Sequence, residues 1–248
     1  MSSLARDLQR ALDPAQLMFD AGLTPDPWQE AVLRSESKRL LLLASRQSGK
    51  STCSASLACA QAIYDPGLVL LIAPAQRQSV ELFRKVVEVY RALPDVPRIV
   101  QESAMKMELS NGSRVVSLPS SEMTLRGFSA VKTLIIDEAS RVDDALFSAV
   151  RPMLATTGGR MVCLTTPYGK RGFFYEAWAH GEGWERTMIT ADQCPRIDPQ
   201  WLADERRLIG DWQFRQEYLC EFVDTEEAFF SSDLIEAALT NELEPLWN

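Results

Sequence analysis

Arg39-Leu40-Leu41-Leu42-Leu43-Ala44-Ser45-Arg46-Gln47-Ser48-Gly49-Lys50-Ser51 is the stretch on which the fold turns. Its first six residues are an apolar run of strand length. Its last eight have the spacing of a phosphate-binding loop, and 50–64 continues as a helix rich in Ala and Leu. Strand, loop, helix is the order such a loop needs, because backbone N–H groups and the helix N-terminus together hold phosphate. There Lys50 neutralises the β/γ-phosphates and the Ser51 hydroxyl ligates Mg²⁺, while Ser45, Gln47, Ser48, Gly49 and Thr52 line the nucleotide. The pattern asks for Gly at its first position. This chain has Ala44, a small side chain on a more restricted backbone.

Moving downstream, Thr133-Leu134-Ile135-Ile136-Asp137-Glu138 is an apolar strand that ends in two acids. Adjacent carboxylates at the end of a buried strand are costly unless compensated by charge. Beside a phosphate loop they have roles. Asp137 holds Mg²⁺ through water next to Ser51, and Glu138 orients the attacking water of phosphoryl transfer. The combination predicts a Mg-ATP hydrolysis site.

Around these motifs strands alternate with helices. Strands are expected at 39–44, 68–73, 132–136, 160–165 and 184–190, with helices at 50–64, 76–91, 143–154 and 172–178. A hairpin is expected from 105–109 and 114–118 about Ser110-Asn111-Gly112-Ser113. Buried strands separated by helices mean an α/β fold with a mostly parallel sheet covered on both faces. Helical segments also precede the first strand, before and after a break at Thr24-Pro25-Asp26-Pro27. Two short helices at 199–209 and 212–218 read either as a lid subdomain or as cover for the sheet edge. The chain divides into a core at 1–190, a lid at 191–225 and an acidic linker at 226–248.

Composition excludes several classes. The apolar runs are too short to span a membrane, and the N-terminus lacks a signal-peptide pattern. Five cysteines without a CxxC pair and a single His180 argue against a disulfide framework or a zinc site. The formal charge is −8. Residues 221–248 carry eight carboxylates and no Lys or Arg, so the preceding body is electrically neutral. A neutral body gives no reason to expect tight DNA binding by a monomer.

Other candidates leave alternatives open. No Asn-Lys-x-Asp motif is present, which argues against guanine. Gln29 can pair its amide with adenine, or it is a surface glutamine. Arg126, in Leu125-Arg126-Gly127, is a candidate arginine finger acting between subunits, and Arg46 is a competing candidate in cis. Thr165 and Thr166, before Pro167, either sense the γ-phosphate and couple it to 168–172 or form a strand-exit turn.

Together these motifs resemble the ATPase domain of phage large terminase subunits. The likeness runs through Pro27-Trp28-Gln29, Ser45–Ser51, Ile72-Ala73-Pro74, Leu125-Arg126-Gly127, Leu134–Ala139, Thr165-Thr166-Pro167 and Phe214-Arg215-Gln216-Glu217-Tyr218. It implies a RecA-like core with a small helical lid. It implies ATP and Mg²⁺ as cofactors, and a homo-oligomeric ring, a pentamer, that moves double-stranded DNA into procapsids. Portal protein and the small terminase subunit would be partners, and the host cytoplasm the location. Arg126 would act on a neighbour's ATP, and Lys106 and Arg114 of the hairpin would face DNA. The family also carries a C-terminal nuclease, and the chain is expected to be an ATPase domain that ends in its linker. Rival readings are a helicase-like DNA translocase, disfavoured because about 110 residues follow Glu138, and a nucleotide-gated assembly module with negligible turnover.

Overall fold

A computed structural model describes residues 3–121 and 127–223. Three short helices come first: α1 (Ser3–Leu12), α2 (Gln16–Asp20) and α3 (Pro27–Arg34). Pro27 opens α3 where its missing N–H is not needed. Fully buried Arg10 fastens α1, bonding Asp20 at 2.5 Å and the Pro94 carbonyl at 2.8 Å.

The core alternates β1 (Arg39–Ala44), α4 (Lys50–Tyr64), β2 (Leu68–Ala73) and α5 (Gln76–Ala92). It continues through β3 (Ile99–Glu102), β4 (Lys106–Leu109), β5 (Arg114–Pro119) and β6 (Val131–Asp137). The remaining elements are α6 (Asp144–Val150), β7 (Arg160–Thr165), α7 (Gly172–Ala179), β8 (Glu185–Ile189), α8 (Pro199–Ile209) and α9 (Asp211–Tyr218). One sheet of eight strands runs β3-β4-β5-β2-β6-β7-β1-β8. From β5 to β8 every pairing is parallel, whereas β3 and β4 extend the edge antiparallel.

The apolar runs are central because both their faces are covered. β2 is buried at every residue, and β1 and β7 from their second residue onward. One face packs with α2–α5 and the other with α6 and α7. Ala191, Leu202, Phe214 and Tyr218 form a separate small cluster around α8 and α9.

Two details differ from the sequence expectation. The helix expected at 143–154 is α6 followed by a 3₁₀ turn, Arg151–Leu154, because Pro152 cannot donate within a continuing helix. The edge strand β3, mostly exposed, was not anticipated.

Candidate functional site

The carboxyl ends of parallel strands β1, β6 and β7 meet, and the site lies on the loops that leave them. β1 pairs with β7, which pairs with β6. This topology gathers Lys50, Glu138 and Thr166 from segments far apart in sequence.

Ala44, at the departure from the loop pattern, remains inside β1, paired with Ile189, and is completely buried. It needs no left-handed backbone, so the missing Gly costs nothing there. Left-handed turns fall instead at Gln47 (φ 60°) and Gly49 (φ 91°). The Ser48 hydroxyl donates to the Ser45 carbonyl at 2.8 Å, and the Ser45 N–H donates to Ile189 of β8 at 2.9 Å. Lys50 and Ser51 open α4, so their N–H groups have no partner inside the helix, whereas the Thr52 N–H donates to the Gly49 carbonyl at 3.1 Å.

Lys50 Nζ is 3.2 Å from Glu138 Oε1. Glu138 adopts φ 50°, a left-handed conformation rare for its type, which turns the chain sharply out of β6. Its N–H donates to Asp137 Oδ1 at 3.0 Å. Burial pushes the Asp137 carboxyl up to about 6; neighbouring Glu138 adds to the rise and Lys50 opposes it. Thr166 Oγ1 donates to Glu138 Oε2 at 3.4 Å.

Behind Glu138, Ser140 ties the exits of β6 and β7 together. Its hydroxyl is 2.6 Å from Thr165 Oγ1 and donates to the Thr166 carbonyl at 2.7 Å. The Tyr168 ring lies under Arg141 at 4.2 Å and Arg171 at 5.1 Å, a second link between these exits.

Arg46 projects from the loop to α9. Its Nε is 2.5 Å from Glu217 Oε2, and Nη2 is 3.2 Å from Oε1. That two-pronged hydrogen bond to Glu217 raises the Arg46 pKa. Gln29 is buried, which removes the surface-glutamine reading. Its Oε1 accepts from the Asp26 N–H at 2.9 Å, and its Nε2 donates to the Gly49 carbonyl at 3.2 Å.

Arg126 lies outside the described residues, as do 224–248, which hold the whole of the expected linker and the last two residues of the expected lid. Lys106 and Arg114 sit on the edge hairpin, away from these loops, and Lys106 pairs with Glu108 at 2.7 Å. Sequence reasoning missed Asp26, Ser140, Arg196 and the role of Glu217. Only Asp26, an N-cap residue just before a helix that starts with Pro27, carried a usable local signal. Among the described residues, no cluster of three or more His, Cys, Asp or Glu forms a metal cage, and no helix is long and apolar enough to cross a membrane.

A mostly parallel eight-stranded sheet with these loops at its carboxyl end defines a RecA-like α/β protein. The family described as terminase large subunit, T4likevirus-type, N-terminal, matches residues 41–237, and the chain belongs to that family. The terminase large subunit of Thermus phage G20c is 28% identical over 261 residues, covering 90% of this chain and 54% of that protein. The chain thus spans about half the length of the curated relatives it matches. The large terminase ATPase domain of Thermus phage P74-26 has the same fold, with TM-score 0.73 and 24% identity, over 84% of this chain and 96% of that one. The large terminase of another thermophilic bacteriophage, solved in complex with ADP, superposes with TM-score 0.61 at 10% identity, over 85% and 53% of the two chains.

Proposed function

We propose that this chain is the ATPase module of a phage DNA-packaging motor, binding Mg-ATP on 45–52 and hydrolysing it to drive movement of double-stranded DNA. The observation that carries this reading is the 3.2 Å approach of Lys50 and Glu138. A phosphate-loop lysine and a strand-end glutamate meet where a γ-phosphate and its attacking water must meet. The ADP-bound large terminase of the thermophilic bacteriophage has the same fold, which supports nucleotide as the ligand.

ATP draws Lys50 from Glu138 to the phosphates, and Glu138 then orients water for in-line attack. Ser51 and Asp137 supply oxygen donors suited to Mg²⁺, which takes a few carboxylate or hydroxyl ligands plus phosphate and water. Mg²⁺ would neutralise phosphate charge. Asp137 is only 8% exposed, so a nearby cation compensates a carboxylate that burial disfavours. Gln29 flanks the loop, and each polar atom of its amide has capacity for a second bond, available to adenine. Arg126 from a neighbouring subunit completes the site, with Arg46 as a second arginine in cis. Residues 191–225 form a lid, a reading supported by their separate apolar cluster. Thr165 and Thr166, bonded to Ser140 and Glu138, carry the nucleotide state to 168–172. A ring of about five subunits on a portal, in the host cytoplasm, and with a small terminase subunit, follows from family membership by analogy.

Steady-state ATP hydrolysis by Glu138→Gln tests the reading. Retained nucleotide binding with turnover reduced at least ~100-fold is expected for the loss of a water-orienting group. Normal turnover in that variant overturns it.

A further inference from the structure

Two peptide groups of the phosphate loop are gripped from behind. The Ser48 carbonyl accepts from Arg196 Nη2 at 2.9 Å, and the Gly49 carbonyl accepts from Gln29 Nε2 at 3.2 Å. These carbonyls belong to the peptide units that present the Gly49 and Lys50 N–H groups. A peptide unit is planar, so fixing its C=O fixes the direction of its N–H. A donor at the carbonyl also polarises the unit and strengthens the N–H as a donor. A cationic donor does so more than a neutral one.

Arg196 is itself held. Its Nη1 pairs with Asp26 Oδ1 at 2.7 Å, and the Asp26 side chain is nearly buried. Asp26 in turn meets Gln29 through its own N–H. Asp26, Gln29 and Arg196 therefore close a bracket around Ser48 and Gly49. A Cβ built at position 49 would stand 2.9 Å from Gln29 Nε2 and 3.1 Å from Arg196 Nη2. Glycine is required there by this approach as well as by its φ of 91°.

We infer that Arg196 is a positioning residue for the phosphate cradle: it aligns the Gly49 N–H group directly, supports Gln29 at the Lys50 N–H group through Asp26, and ties their alignment to the segment that leads into α8. The inference rests on the nucleotide-site reading above and extends it to a residue 148 positions from the loop. The segment leaves β8 next to the loop, because the Ser45 N–H bonds Ile189. It then passes Arg196 and starts α8 from the Asp198 cap. Displacement of α8 and α9 thus pulls on Ser48 through Arg196, which loosens phosphate binding without a direct contact to nucleotide.

Calorimetric titration with Mg-ADP and with Mg-pyrophosphate, on wild type, Arg196→Ala and Arg196→Lys, tests this. Arg196→Ala should weaken both ligands by a similar factor, about tenfold for one charge-assisted bond. Lys at 196 should restore part of the loss, and the KM for ATP should rise more than kcat falls. Lys also serves as the readout if the Ala variant does not fold. Loss of ADP affinity with pyrophosphate unaffected would place Arg196 on the base and overturn the inference. Equal affinities in wild type and both variants would make the bracket a bystander and overturn it too. A wild-type chain that binds neither ligand would sink the nucleotide-site reading itself, and the inference with it.

Discussion

Lys50 and Glu138 are joined, Nζ to Oε1, at 3.2 Å, with both side chains mostly sequestered from solvent. On the proposed reading, Glu138 therefore competes with the nucleotide phosphates for Lys50. Neutralising the glutamate should release the lysine to phosphate. Glu138→Gln is expected to bind a non-hydrolysable ATP analogue at least as tightly as wild type, by a factor of up to ~5 if the pair contributes about 1 kcal/mol. Fluorescence titration reads this, and clearly weaker binding would mean that Glu138 supports the ligand instead of competing with it.

Arg46 and Glu217 predict a stability effect. Glu217 is almost buried and relies on the exposed Arg46 for its charge. Arg46→Ala strands that carboxylate and should lower unfolding free energy by about 1–3 kcal/mol. Changing both residues to Ala should cost less than the two single losses added together. Urea denaturation of the four proteins measures it, and strict additivity would show that the pair does not couple.

Completion of the site by a neighbour has a kinetic signature. ATP hydrolysis per subunit should climb with protein concentration, and Arg126→Ala should remove that rise by a factor of about 10³ or more if it is a trans-acting finger. Flat activity insensitive to Arg126 would assign the arginine role to Arg46.

Ser140→Ala removes the hydroxyl that joins Thr165 to the Thr166 carbonyl behind Glu138. The expected result is a fall in kcat of roughly tenfold, the scale of one lost hydrogen bond, with little change in KM. Stopped-time ADP release assays would read it. A rise in KM alone would mean that Ser140 serves binding.

All five cysteines are free and buried. Burial pushes the thiols of Cys53 and Cys220 up to about 12. A thiol with that pKa is thiolate in about one molecule in ten thousand at pH 8, and the thiolate is the nucleophile. Native protein should therefore label slowly with a disulfide reagent, and guanidinium should release five thiols. The same shift ties stability to pH. Above about 9 the unfolded chain ionises these thiols while the folded chain keeps their protons, so stability falls as pH rises towards 12. Rapid labelling of native Cys53 would contradict its burial.

The sheet was legible because its central strands are unbroken apolar runs, the mark of burial on both faces. The meeting of Lys50 and Glu138 was legible because each lies in a local pattern: a loop before a helix, and acids at a strand end. β3 was not, since Ile99-Val100-Gln101-Glu102 is mostly exposed and carries little pattern. Arg196 and Glu217 were hidden for a different reason. Each acts on the loop from roughly 150 to 170 residues away, and nothing in the residues beside them points to that partner. Gln29 was less legible: its sequence offered pairing with adenine or a place on the surface, and neither its burial nor its bond to Gly49 could be read there.

The position of β1 has a consequence for how the chain comes to be folded. β1 is among the first strands synthesised, yet its two neighbours are β7 and β8, which begin at Arg160 and Glu185. Pairings this remote are slow to close and leave an apolar strand waiting. On the ribosome, 39–44 must stay unpaired until about 120 further residues have emerged at about 5–20 per second, a delay of several seconds or more. A nascent chain halted before residue 160 would expose Leu40–Leu43, a ready target for chaperones or for aggregation.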